Sequence, residues 1–279
     1  MNSTLILIQC RDAVGLVGLI ANTVAAHQLN IVTMREYVDE AANRFYVRIV
    51  CAGETSEPRQ LIEELVDRLP EGATVQLNPP QQKKLAILVT KEHHCLGDII
   101  VRFFFNTLGA DVCCVIGNYN DLKGFTERFN IPFHHVSHEG KSRQEFEEEI
   151  AQTLSAYQPD YLVLAKFMRI LSPDFVARYP GRIINIHHSF LPAFIGANPY
   201  KQAYTRGVKL IGATAHFVTN DLDEGPIIEQ DIERVDHAMS AHSLTQVGSD
   251  VESLVLARAV RSHVEHRILL NGSRTVVFR

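Results

Sequence analysis

The feature that most restricts the fold of this chain is a change of hydrophobic period near residue 85. From there, short and uniformly apolar runs recur at Leu85–Thr90, Val112–Gly117, Tyr161–Ala165 and Ile183–His187. Runs of that kind suit strands buried on both faces, as in parallel sheets. Helical spacing fills the intervals, at about Gly97–Leu108, Leu122–Phe129, Arg143–Ala156 and Pro173–Tyr179, with a short Phe133–Val136 run before the third. Strands alternating with helices predict a doubly wound, mostly parallel α/β sheet, whose ligands sit at the carboxyl ends of the strands. Gly212–Thr219 reads as a further strand, followed by a long helix at about His242–Leu269 and a strand-like tail, Arg274–Phe278.

The first 78 residues follow another rule. Thr4–Gln9 is a β-type run, Val14–Ala26 a helical one, and Ile31–Val38 and Arg44–Cys51 are strands around the polar turn Asp39–Asn43. Pro58 opens a second helix that Pro70 and Gly72 close, and Ala73–Leu77 is a last short strand. The order βαββαβ predicts a ferredoxin-like unit with both helices on one face of a four-stranded sheet. Two adjacent prolines and a polar run make 79–84 a linker, which divides the chain into domains 1–78 and 85–279.

Composition excludes several classes of partner. Lys and Arg number 27 against 32 Asp and Glu, so the formal net charge of −5 disfavours a nucleic-acid backbone. No apolar run is long enough to span a membrane, and the N-terminus lacks a basic signal-peptide start. The five cysteines form no C-x-x-C pair, which predicts reduced thiols in a cytoplasmic protein.

Several chemical motifs fail on inspection. Gly140-Lys141-Ser142 lacks the glycine a phosphate loop needs five residues earlier, where His135 stands. No dinucleotide fingerprint or nucleophile elbow is present. Adjacent histidines such as His93–His94 and His134–His135 would point to opposite faces of an extended chain. His263 and His266 would share a helix face without a second ligand pair. No metal is expected.

One constellation survives. Asn185 and His187 lie two apart at the end of a predicted central strand, so their side chains share a face about 6–7 Å apart along the backbone. An amide and an imidazole aimed at one spot suit a carbonyl that becomes an oxyanion. About thirty residues on, Asn220-Asp221-Leu222-Asp223-Glu224-Gly225-Pro226 offers a carboxylate that could join the imidazole in acid–base work. On pattern alone the alternative stands equal: Asn185 and His187 cap buried backbone while the acidic loop is simply solvated.

Three segments break the tie by resemblance: Phe167–Leu171, Asn185–Pro192, and His216–Val218 leading into Leu222–Pro226. Together they resemble the formyltransferase family that uses 10-formyltetrahydrofolate. The resemblance implies that Asn185, His187 and Asp223 are catalytic. It also implies that Met168, Arg169, Ile170 and Leu171 hold the pterin while Asn220, Asp221 and Leu222 close over the folate. Thr214 and His216 then shape the loop, or serve as plain β-core. Lys91–Asp98, with its imidazole pair His93–His94, differs from the small-residue phosphate cradle of members that formylate a nucleotide. The chain also stops soon after its long helix, where the members that act on tRNA carry a basic extension.

The N-terminal unit resembles an ACT domain, with Asp12 and Gly15 in the turn where such domains take effectors. Gly196-Ala197-Asn198-Pro199-Tyr200 extends the likeness to the hydrolytic branch of the family, in which water replaces the amine acceptor. The resemblance thus implies hydrolysis of 10-formyltetrahydrofolate to tetrahydrofolate and formate, without a cofactor, in one-carbon metabolism beside purine biosynthesis. It implies a homo-oligomer, dimer or tetramer, with a possible amino-acid effector. The alternatives are formyl transfer to an amine such as glycinamide ribonucleotide, or a non-catalytic amino-acid and folate sensor.

Overall fold

Strand β1 (Ser3–Arg11) carries apolar side chains on both faces, and this explains much of the first unit. It is followed by α1 (Leu16–Ala26), β2 (Asn30–Asp39), β3 (Arg44–Ala52), α2 (Pro58–Arg68) and β4 (Thr74–Leu77), in a fully antiparallel sheet of order β2-β3-β1-β4. Ile6, Ile8 and Cys10 point to one face and pack with Ile20 and Val24 of α1 and Leu61 and Leu65 of α2. Leu5 and Leu7 point to the other and pack with Tyr46, Leu269, Val276 and Phe278. The computed structural model that gives this description covers residues 3–80, 82–192 and 199–279. The segment Gly196–Asn198 of the motif above therefore lies outside the described residues, as does Gln81 of the linker.

The second unit begins with β5 (Lys84–Val89), α3 (His94–Phe104), β6 (Asp111–Gly117), α4 (Lys123–Glu127) and β7 (Phe133–His135). It continues through α5 (Arg143–Tyr157), β8 (Tyr161–Ala165), α6 (Pro173–Ala177), β9 (Ile183–His187), α7 (Pro199–Arg206), β10 (Leu210–Phe217), β11 (Ile227–Arg234) and α8 (Ala241–Val264). The sheet order is β11-β10-β9-β8-β5-β6-β7, parallel from β9 through β7, with β10 and β11 antiparallel. The chain builds outward from β5 through β6 and β7, then returns to place β8 on the other side of β5. That reversal leaves a crevice above the carboxyl ends of β5 and β8, where ligands of open α/β sheets bind. The α/β sheet expected from the sequence is the one observed.

Three details differ from expectation, and one dismissed motif is the turn into a helix that its dismissal implied. Helix α8 ends at Val264, five residues before Leu269, and His266 adopts φ 53°. His263 and His266 therefore share no helix face. The hairpin β12 (Ile268–Asn271) and β13 (Arg274–Val277) follows. Its outer residues, His266–Leu269 and Val276–Arg279, belong to the first unit, where they cover the second face of β1. Helix α7 and edge strand β11 carry no signal read from the sequence. The rejected phosphate loop is a helix start: Ser142 Oγ accepts from Glu145 N at 3.2 Å, and the Glu145 carboxylate accepts from Ser142 N at 2.8 Å.

Candidate active site

Strand β9 carries Asn185 and His187 on one face, and its antiparallel neighbour β10 sets Thr214 opposite His187 and His216 opposite Asn185. Four polar side chains thus meet through sheet register alone. Asn185 Nδ2 donates to His216 Nε2 at 3.3 Å, and His216 Nδ1 donates to the Phe217 carbonyl at 2.9 Å. Thr214, fully buried, fixes the chain that leaves β9. Its hydroxyl accepts from Leu191 N at 3.0 Å and from Gln230 Nε2 at 2.9 Å, and donates to the Ser189 carbonyl at 2.9 Å.

The loop after β10 brings the carboxylate. Asp223 Oδ2 lies 3.3 Å from His187 Nδ1 and Oδ1 lies 3.6 Å from His216 Nε2. Asp223 adopts φ 58°, an uncommon conformation for a residue with a side chain. Two residues on, Gly225 approaches β10 so closely that an added Cβ would stand 1.7 Å from the Phe217 carbonyl oxygen. Phe217 N donates to the Pro226 carbonyl at 2.9 Å, which closes the loop onto the strand. Glycine at 225 is therefore what lets Asp223 reach the histidines.

A hydrogen bond with His187, and then the neighbouring ring of His216, hold the Asp223 carboxyl well below the ordinary range, although burial opposes them. His187 is 6 % exposed, and its Nε2 is buried with no hydrogen-bond partner among the described residues. Buried polar atoms are seldom left so, and this one is the most telling atom of the site. A ring nitrogen anchored at Nδ1 by a carboxylate presents its other nitrogen for exchange with a ligand.

Around these residues lies a cleft of about 360 Å³ whose wall includes Lys166–Leu171, Asn185–His188, His216 and Val218–Asp223. Met168, Ile170 and Leu222 are more than half exposed, although apolar, and they face this cleft. Leu171 is instead buried in the core against Phe175 and Val176. Met168 N donates to Thr90 Oγ1 at 3.0 Å, tying the segment after β8 to the end of β5. Of the residues singled out in the catalytic half of the sequence, all but Thr214 line this one crevice. Asp12 and Gly15 lie elsewhere, in the β1–α1 turn, where Gly15 adopts φ 89° and Asp12 N donates to the Asn43 carbonyl at 3.1 Å.

One cluster escaped sequence reasoning. Glu252 of α8 is 1 % exposed and accepts from Tyr200 Oη at 2.5 Å, from His94 Nε2 at 2.7 Å and from Lys166 Nζ at 3.0 Å. Burial would raise its pKa, but His94, Lys166 and Tyr200 together draw it down to about 2. His94, Cys95 and Glu252 lie close enough to share an ion. However, burial pushes the Cys95 thiol strongly up, and Lys166 already supplies the positive charge. The arrangement suits an ion pair better than a metal. No local motif links residues 94, 166, 200 and 252; only the α/β topology brings them together.

A crevice at a topological switch point, lined by an Asn, an Asp-anchored His and an apolar rim, defines an enzyme of acyl-group chemistry. The chain belongs to the formyl transferase family, whose profile matches residues 83–260. It is 50% identical over 268 residues to the formyltetrahydrofolate deformylase of Escherichia coli K12, covering 96% of this chain and 95% of that protein. The crystal structure of a formyltetrahydrofolate deformylase from Pseudomonas syringae pv. tomato is 37% identical. It superposes with a TM-score of 0.92 over 99% of this chain and 94% of that one. A glycinamide ribonucleotide transformylase from Symbiobacterium toebii, 30% identical, gives a TM-score of 0.68 over 72% of this chain and 96% of its own.

Proposed function

We propose that this protein hydrolyses 10-formyltetrahydrofolate to tetrahydrofolate and formate, with Asn185, His187 and Asp223 as the catalytic residues. The observation that carries the reading is the buried Nε2 of His187, without a partner among the described residues and anchored behind by Asp223. The relatives named above, matched over nearly their whole length, support it. In this reading the formyl oxygen lies against Asn185 Nδ2 and His187 Nε2–H, and a water held by Asp223 attacks the formyl carbon. The oxygen becomes an oxyanion and gains most from both donors at that moment. When protonated, the His187 ring is the better donor, and the Asp223 carboxylate 3.3 Å away offsets its charge.

Asp223 is too weak a base to keep the proton that water loses. The proton moves on to the folate nitrogen as the C–N bond breaks, and formic acid departs, giving its remaining proton to solvent as formate. Every bond made and broken is then accounted for by these residues and water, so no cofactor or metal is needed. Met168–Leu171 would hold the pterin, and Asn220–Leu222 would close over it. Thr214 and His216 would keep the loop and the donor geometry fixed.

The same reading makes residues 1–78 an ACT domain, joined by a linker at 79–84 to the catalytic domain 85–279. It makes the protein a cytoplasmic homo-oligomer, dimer or tetramer, acting beside purine biosynthesis. The βαββαβ unit with Gly15 in its first turn supports the ACT reading, and the five free thiols support a reducing compartment. An amino acid bound near Asp12 and Gly15 would alter the rate; a broad amino-acid panel that shifts neither rate nor melting temperature would defeat that part alone. The test of the activity is incubation with 10-formyltetrahydrofolate in the presence and absence of amines. Formate released without any amine is expected, and formylated amine with no formate would defeat the reading.

A further inference from the structure

Beside the formyl cleft lies a second, larger one of about 630 Å³, within the usual range for small-molecule sites. Lys166, Met168 and His188 line both. A nucleophile coming through the second cleft to a formyl group at His187 would therefore pass Lys166 and His188. The ring of His188 stacks on that of His187 with centroids 5.0 Å apart and planes inclined by 17°.

Lys166 is placed with unusual care. It stands just past β8 with φ 60°, a conformation that glycine adopts freely and lysine does not. It is only 9 % exposed, and it is held by its side chain: Nζ pairs with Glu252 Oε2 at 3.0 Å and donates to His188 Nδ1 at 3.3 Å. Glu252 is in turn engaged by His94 and Tyr200, and Tyr200 packs so tightly on Gly248 that a Cβ there would stand 2.1 Å from the ring. The ammonium cannot easily swing away. An ammonium has three N–H donors and no acceptor, and two of the three are used by these contacts.

We propose that Lys166 selects water over an amine as the formyl acceptor, by presenting a fixed cationic donor at the junction of the two clefts. This rests on the hydrolytic reading above. The selection follows from lone pairs and charge. Water has two lone pairs, so it accepts a hydrogen bond from Lys166 with one and attacks carbon with the other. A neutral amine has a single lone pair, which it needs for attack, so beside Lys166 it sets N–H against N–H. A protonated amine meets like charge and has no lone pair at all. His188 offers no relief, because its Nδ1 already accepts from Lys166. A site that leaves a buried donor unpaired with the wrong partner discriminates strongly.

The test compares wild type with Lys166→Met, Lys166→Arg and Lys166→Met/Glu252→Gln, each incubated with 10-formyltetrahydrofolate and glycinamide while formate and N-formylglycinamide are measured. In the alternative reaction the amine nitrogen bonds to the formyl carbon, the folate C–N bond breaks, and the proton lost by the amine goes to the folate nitrogen. Both Met variants are expected to raise the ratio of formylated amine to formate by about tenfold or more, the scale of one unfavourable buried contact. Lys166→Arg keeps the charge and should keep the wild-type ratio. The double variant removes the carboxylate that Lys166→Met strands, so a folding defect in the single change does not decide the matter. A ratio within twofold of wild type in the Met variants overturns the proposal. Loss of both products in folded variants also overturns it, since Lys166 would then serve the reaction and not the choice of acceptor. A purely structural role lowers both products together and leaves the ratio unmoved. Wild type that formylates glycinamide and yields no formate would instead refute the hydrolytic reading.

Discussion

Replacing Glu252 by Gln tests whether the buried cluster of the second unit is held by charge. Glutamine keeps the size and one acceptor oxygen, so Tyr200 at 2.5 Å retains a partner while Lys166 at 3.0 Å and His94 at 2.7 Å lose a carboxylate. Drawing a carboxyl from 4.5 to about 2 stabilises its ionised form by about 3 kcal/mol. That figure agrees with the roughly 3–5 kcal/mol lost when one partner of a buried pair is removed. Denaturant unfolding at pH 7 should show Glu252→Gln less stable by about 3 kcal/mol, and heating should show a melting temperature lower by roughly 10 °C. The sign of the pH dependence is fixed. A depressed carboxyl stabilises fully above its unfolded value and loses that contribution as pH falls through the folded one. The gap between wild type and variant should thus be constant from pH 7 to 5 and shrink below 4.5 toward 2. A variant within about 0.5 kcal/mol of wild type at pH 7, the scatter of ordinary surface changes, would refute the reasoning.

Other consequences follow from the site itself. Gly225→Ala forces a Cβ against the Phe217 carbonyl, so the Asp223 loop must lift. It should lose about 10²-fold in formate release and roughly 1–3 kcal/mol of stability, read by turnover and unfolding. Asn185→Ala should lower the rate by about 10²–10³-fold, with tetrahydrofolate binding close to wild type by calorimetry. Asp223→Asn/His187→Ala should be barely slower than His187→Ala alone, because the two act as a unit; multiplied defects would count against their contact at 3.3 Å.

The sequence made some of this legible and hid the rest for physical reasons. Strand β9 was readable to the residue because four of its five side chains are buried, and period two then put Asn185 and His187 on one face. Strand β11 was not, because it is an antiparallel edge strand bearing Glu229, Asp231, Glu233 and Arg234, charges that suit an edge but mask the strand. Ile268 and Leu269 continue the helical spacing of Val264, so α8 was read too long. What ends it is the left-handed turn at His266 and the demand for cover on the second face of β1. His216 was readable as a strand residue or a shaper of the loop, but not as the partner of Asn185, since that partnership depends on the register between β9 and β10. The Lys166–Glu252 pair joins residues 86 apart and leaves no local pattern.

The most direct test of the account is formate release from 10-formyltetrahydrofolate, without any amine, by wild type and by Asp223→Asn. Asparagine matches the size of Asp223 and can still bond to His187 Nδ1, but it can neither take a proton nor offset the imidazolium charge. The account predicts one formate and one tetrahydrofolate per substrate consumed by wild type. It predicts a rate lower by about 10²-fold or more in Asp223→Asn, with melting temperature and tetrahydrofolate binding close to wild type. Turnover near the wild-type rate by a folded Asp223→Asn would contradict it.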